Sequence, residues 1–199
     1  MRVPPLLIVV AALLVCAAPA TAQDRGFFAD VDALGSAPVG SIGQRSARDI
    51  LDLGYGVRAE VLYQIHGHLS TGVSVAALSY DMTVREGFVT ARANATALPV
   101  YAVARLHSTR GSGLGTYAEA GIGLMAWNRD PVGVGTATST QTAFSYDVGL
   151  GASVLLNRRW DVRAGAQVQQ ALSGTGEMWA HGENPTFLTL NLGLVFRHR

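Results

Sequence analysis

This sequence predicts an all-β chain, folded as an eight-stranded antiparallel up-and-down transmembrane β-barrel. Three observations carry that expectation. Eight segments alternate apolar and polar residues with period two, and beyond the opening segment no helical period competes with them. The connectors between them run long, short, long, short, long, short, long, the rhythm of a membrane barrel with external loops and tight inner turns. Residues 51–65, LDLGYGVRAEVLYQI, alternate for fifteen residues. At about 3.3 Å each and a tilt of roughly 40°, that length rises about 35–40 Å, enough to cross a bilayer.

The chain opens MRVPPLLIVVAALLVCAAPATAQ. Arg2 is followed by an apolar core from Leu6 to Val15 and by the small residues Ala20 and Ala22, the pattern of a secretory signal peptide. The expected boundaries are a cleaved signal peptide at 1–22 and an outer-membrane β-barrel domain at 23–199. Val15 precedes Cys16, where a lipoprotein signal requires a small residue, so lipid anchoring is disfavoured. Cys16 is the single cysteine, so a chain processed at Ala22 carries neither disulfide nor thiol chemistry. No run of eighteen apolar residues follows, and a spanning helix is not expected. All fifteen basic residues are Arg, and without Arg2 fourteen remain against fourteen acids. That balance lacks the basic excess a nucleic-acid partner needs.

The strands follow in order. Phe27, Ala29, Val31 and Ala33 sit opposite Asp30 and Asp32, and a long polar stretch from Gly35 to Asp49 leads to the 51–65 segment. His66-Gly67-His68 makes a tight turn into Leu69, Thr71, Val73, Val75 and Ala77. A long connector is expected from Thr83 to Thr96, then a strand carrying Leu98, Val100, Ala102, Ala104 and Leu106 against Tyr101 and Arg105. After His107–Gly115, residues Ala118 to Ala126 oppose Tyr117, Glu119, Gly121 and Gly123. A long Asn128–Thr142 connector leads to Phe144–Leu156, and a tight Asn157-Arg158-Arg159 turn leads to Trp160–Val168. A last long loop, Ala171–Pro185, carries Met178, Trp179 and His181 ahead of the closing strand Leu188–Phe196.

A soluble barrel also alternates, with its apolar side inward. Strand length argues for lipid instead. So does the distribution of small residues, because an eight-stranded interior only just accommodates side chains. The polar sides combine Gly and Ser with a few long charged residues, as a crowded lumen requires. The apolar sides hold aliphatics with aromatics near strand ends, and Tyr55, Tyr63, Trp127, Phe144, Tyr146, Trp160 and Phe196 are candidates for interfacial girdles.

The stretches TYAEAGIGLMAW (116–127), FSYDVGLGASVLLNRRWDVRAGAQV (144–168) and FLTLNLGLVFRHR (187–199) resemble small eight-stranded outer-membrane β-barrels of the OmpA/OmpX/OmpW type. In the closing strand Asn191, Gly193 and Phe196 resemble the barrel-assembly signal, although His198 stands where a second aromatic is usual and Arg199 follows it. The resemblance implies residence in the outer membrane of a diderm bacterium after export, insertion by the barrel-assembly machinery, and contact with outer-membrane lipid and lipopolysaccharide. It implies neither one activity nor an oligomeric state, because folds of this kind host many functions.

Candidate chemistry begins with the inward charges: Asp30, Asp32, Asp52, Arg58, Glu60, Arg105, Glu119, Asp147, Asp161 and Arg163. Ionised groups in a narrow barrel are costly unless paired. The expectation is a lumen charge network of Arg58, Glu60, Arg105, Glu119, Asp147 and Arg163 that plugs the bore, the alternative being a gating element in a small-solute path. His66-x-His68 lies in a tight turn with no third ligand nearby, so no metal is expected. No cofactor is expected either, because the Gly-rich GSGLG (111–115) and GVGTATST (133–140) lack the phosphate-cradling spacing. Asn94-Ala95-Thr96 matches a glycosylation acceptor by chance. An acyl-ester enzyme would need a Ser activated by a His and oriented by an acid. His107-Ser108 is the only adjacent pair, and the histidine-x-serine-asparagine motif of lipid A-acting barrels is absent. The expected function is therefore an envelope-stabilising or loop-presenting barrel, with a narrow channel for small or hydrophobic solutes as the alternative.

Overall fold

The structure is a computed structural model. It describes residues 26–42, 45–46, 51–86, 89–108, 113–131, 139–172 and 185–198. The expected signal peptide, Arg199 and the loop residues Met178, Trp179 and His181 lie outside that set. Eight long strands form a closed barrel: β1 (Phe27–Val39), β2 (Gly54–His66), β3 (Leu69–Glu86), β4 (Val89–His107), β5 (Leu114–Pro131), β6 (Ser139–Leu155), β7 (Trp160–Ala171) and β8 (Thr186–His198). Each pairs antiparallel with its sequence neighbour, and β1 pairs with β8 to close the sheet. Closure pairs the edges that lipid would leave unsatisfied. Two two-residue strands, Ser41–Ile42 and Arg45–Ser46, pair with each other in the first connection.

The faces divide as the alternation requires. Val57 is 56% exposed and Leu150 67% exposed, and Val31, Ile122, Leu190 and Leu192 also face outward. Between them the side chains of Asp30, Arg58, Glu119 and Arg163 are buried. At the turn end Asn157 Oδ1 accepts from the backbone N–H groups of Arg159 (2.9 Å) and Trp160 (3.1 Å). This is the Asx turn that a tight Asn-led connector favours.

The expected long connector Thr83–Thr96 is instead mostly strand. Thr83 pairs with Arg92, Val84 with Ala91, Arg85 with Thr90 and Glu86 with Val89. Its β-branched residues suit a ladder, and residues 89–96 do alternate, but with Ala93 and Ala95 facing inward and Asn94 outward, the reverse of the mid-barrel pattern of apolar residues outside. β5 and β6 likewise run on to Pro131 and back from Ser139. Strands β3–β6 have 17–19 residues against 12–13 for the rest. One wall therefore stands about 13 Å higher at the loop end. Within it the β3–β4 ladder skips from Val75↔Val100 to Leu78↔Ala97 without a change of register. Pro99, which has no N–H to donate, lies in that gap.

The start of the 51–65 segment also departs from expectation. The strand begins at Gly54, and Leu51 turns inward, 1% exposed, bridging to Met82. Asp52, read as a lumen charge, is exposed, its backbone N–H donating to Asp81 O at 2.9 Å. Without a ladder on both sides, residues 51–53 are not bound by the strand's parity. Trp127, read as a girdle residue, is 0% exposed inside the barrel. It shares parity with Glu119 and Met125 on β5, and that parity decides its direction.

Candidate functional site

The lumen is stratified. At the turn end Phe28, Leu62 and Val195 point inward. At the loop end Tyr80, Trp127 and Phe187 pack with ring centroids 5.4–5.7 Å apart, beside Leu51, Leu78, Met82 and Met125. Such tilted aromatic contacts add to the burial term. Between these apolar layers lies the charge cluster.

Period-two strands place Asp30 and Asp32 on β1, Arg58 and Glu60 on β2, Arg105 on β4, Glu119 on β5 and Arg163 on β7, all pointing inward. Register sets Asp30 opposite Glu60, Asp32 opposite Arg58, and Arg105 opposite Glu119. Arg58 donates through Nε to Asp32 Oδ2 (2.8 Å) and through Nη1 to Glu119 Oε1 (3.2 Å). Arg105 donates to Asp30 Oδ2 (2.7 Å), Glu60 Oε1 (2.5 Å) and Glu119 Oε2 (2.7 Å). Arg163 donates to Asp32 Oδ1 (2.8 Å), Asp30 Oδ2 (2.5 Å) and Glu60 Oε2 (3.2 Å). Three guanidiniums thus interlock with four carboxylates, each carboxylate bound to two or three Arg. The planar five-donor fork of Arg suits this sharing.

The cluster is braced by neutral side chains. The Tyr117 ring lies 4.9 Å from the guanidinium carbon of Arg105 and 5.7 Å from that of Arg163. Its hydroxyl takes the space left by Gly151 and Gly165, where an added Cβ would lie 2.4 and 2.5 Å from it. Gln167 Nε2 donates to Glu119 Oε1 at 2.8 Å. Charges desolvated in this way depend on such pairing and hydrogen bonding.

Of the six expected network members, the structure brings five into ion pairs. Asp147 is also buried, but among the described residues it makes no ion pair. Asp161 pairs with Arg197 at the turn end, with Arg197 Nε donating at 2.7 Å. Asp30 and Asp32 are full members of the cluster. Sequence reasoning missed Tyr117 and Gln167, whose inward parity was visible but whose partners depend on the barrel's stagger. In the closing strand Asn191 Nδ2 reaches the Tyr117 hydroxyl at 3.5 Å. Gly193 lies under Asp32, and Phe196 meets Trp160 in a tilted contact with ring centroids 5.1 Å apart. All three residues of the expected assembly signal therefore have a contact in the folded barrel.

The histidines arrange differently from the sequence pairing. His107 Nε2 shares a 3.0 Å hydrogen bond with Ser70 Oγ, not with Ser108. Ser108 Oγ instead accepts from the Thr116 N–H at 2.9 Å. Ser70 is fully buried. His66 and His68 are exposed in the turn. Among the described residues no three His, Cys, Asp or Glu side chains are grouped to hold a metal.

Comparison with solved structures returns small outer-membrane barrels. Neisserial surface protein A from Neisseria aligns with TM-score 0.62 at 19% identity, covering 85% of this chain and 96% of that one. Ail, the attachment invasion locus protein of Yersinia pestis, aligns with TM-score 0.54 at 12% identity, covering 88% and 100%. OprG from Pseudomonas aeruginosa aligns with TM-score 0.54 at 11% identity, covering 88% and 96%. These likenesses speak to fold. No curated protein matches the chain by sequence. The model of the family described as outer membrane protein beta-barrel domain matches residues 8–197, and the chain belongs to that family of outer-membrane barrels.

Proposed function

We propose that this barrel is a structural element of the outer membrane, stabilising the envelope and offering its external loops to partners, with a bore that does not conduct. One observation carries the reading. Three Arg and four carboxylates interlock across the bore at one level, and Tyr80, Trp127 and Phe187 fill it at a second. An eight-stranded interior holds side chains rather than a channel, and here every level between the turn and loop ends carries some. The tall β3–β6 wall supports the loop-presenting half of the proposal, because it lifts two connections above the rest of the rim. Assembly by the barrel-assembly machinery and contact with lipopolysaccharide belong to the same proposal.

Planar-bilayer recording of the purified barrel tests it. The expected result is a quiet membrane with no reproducible unitary step. Unitary currents whose size changes on Arg58→Ala or Glu60→Gln would overturn the plug and favour a narrow solute channel.

A further inference from the structure

The buried charges of the mid-lumen do not balance among the described residues. Arg58, Arg105 and Arg163 face Asp30, Asp32, Glu60 and Glu119, and Asp147 adds a fifth carboxylate. Asp147 is 2% exposed, its Oδ1 has no hydrogen-bond partner, and no described Arg lies within ion-pair distance of it. A buried carboxylate left this way is costly.

Two further unpartnered side-chain oxygens lie on the adjacent strand β7. On β5 its neighbour is Gly121, where a Cβ would lie 2.1 Å from Asp147 Oδ1, so the glycine makes room for the carboxylate. On β7 its neighbour is Gln169, which in turn lies opposite Phe187 on β8. Gln167 occupies the next inward position of β7, towards the ion-pair cluster. Both glutamines are 2% exposed, and the Oε1 atoms of both lack a donor. For Gln167 the orientation is fixed by chemistry: its amide nitrogen must donate to Glu119, which only accepts, so its oxygen is the free atom. Along the barrel axis these residues lie between the ion-pair cluster on the turn side and the layer of Phe187 with its aromatic partners on the loop side.

We infer that Asp147, with the side-chain oxygens of Gln169 and Gln167, forms an internal binding site for a small hard monovalent cation. The donors are oxygens without nitrogen or sulfur, which disfavours transition metals. One carboxylate with neutral amide oxygens matches a single positive charge, whereas divalent sites draw on several anionic ligands. A cation there also offsets the lumen's surplus negative charge.

The test uses the full mature barrel folded in detergent micelles. The folded fraction is read through a urea series on unheated gels, in sodium chloride and in N-methylglucamine chloride at equal ionic strength. Sodium is expected to raise the folded-to-unfolded ratio by 1 + [Na⁺]/Kd, roughly tenfold at ten times Kd. Asp147→Asn should abolish that difference. Gln169→Met, which keeps volume and removes the oxygen, should weaken it, and it serves if the Asp147 variant does not fold. Equal stability of the unaltered protein in the two salts would overturn the site, as would an undiminished sodium response in Asp147→Asn. A response confined to calcium chloride would overturn the monovalent assignment.

Discussion

Replacing Arg105 by Leu is the sharpest perturbation of the plug. Arg105 binds three carboxylates, Asp30, Glu60 and Glu119, from three different strands. Removing one partner of a buried ion pair typically costs about 3–5 kcal/mol. Each of these acids retains another Arg: Asp30 keeps Arg163 at 2.5 Å, Glu60 keeps Arg163 at 3.2 Å, and Glu119 keeps Arg58 at 3.2 Å. Glu119 also keeps Gln167. The loss should therefore fall near the lower limit, about 3 kcal/mol, with the cluster one charge further from neutrality. Urea unfolding of the micelle-embedded barrel, followed by tryptophan fluorescence, measures it. Adding Glu119→Leu to the same protein should recover part of the loss, giving a coupling of about 2 kcal/mol in the double-mutant cycle. A cost below about 1 kcal/mol, the value of a solvated surface pair, would refute the reasoning, because it would mean that water screens the lumen.

Three further outcomes follow from the same geometry. Leu150→Arg, on the lipid-facing side, should destabilise the bilayer-embedded barrel by about 2–4 kcal/mol if it sits near the midplane, read from the urea midpoint in vesicles. Gly151→Val should cost about 1–3 kcal/mol in the same titration, because a Cβ there meets the Tyr117 ring at 2.4 Å. Trp127→Ala should lower stability by about 3–5 kcal/mol by emptying the loop-end aromatic layer. An interfacial girdle residue at that position would cost much less.

Strand number, strand parity and closure were legible in the sequence because a sheet between lipid and a packed lumen imposes strict alternation. Members of the charge cluster were legible for the same reason: Arg58 and Glu60 share parity, as do Tyr117 and Glu119. Their partners were not, since Arg105 meets Asp30 across a separation of 75 residues that only the stagger of the closed barrel defines. The same ignorance hid the contact between His107 and Ser70, 37 residues apart in sequence. Trp127 was misread for a different reason. Its aromatic character was weighed above its parity, and parity decided. The tall β3–β4 wall escaped because the alternation changes sense there: Met82, Ala93 and Ala95 face inward and Asp81 and Asn94 outward, the reverse of the mid-barrel pattern.

The account rests on which flank of each strand meets lipid, and a nitroxide scan of residues 188–194 on β8 reads that directly. With Cys16 expected to leave with the signal peptide, single cysteines can be placed without a competing thiol. The account predicts that labels at 188, 190, 192 and 194 relax with oxygen but not with a water-soluble nickel reagent, while 189 and 191 respond to neither. Water-soluble collisions at 189 or 191 would show an open aqueous bore, and a pattern shifted by one residue would place the charged flank outside; either result contradicts a sealed barrel in lipid.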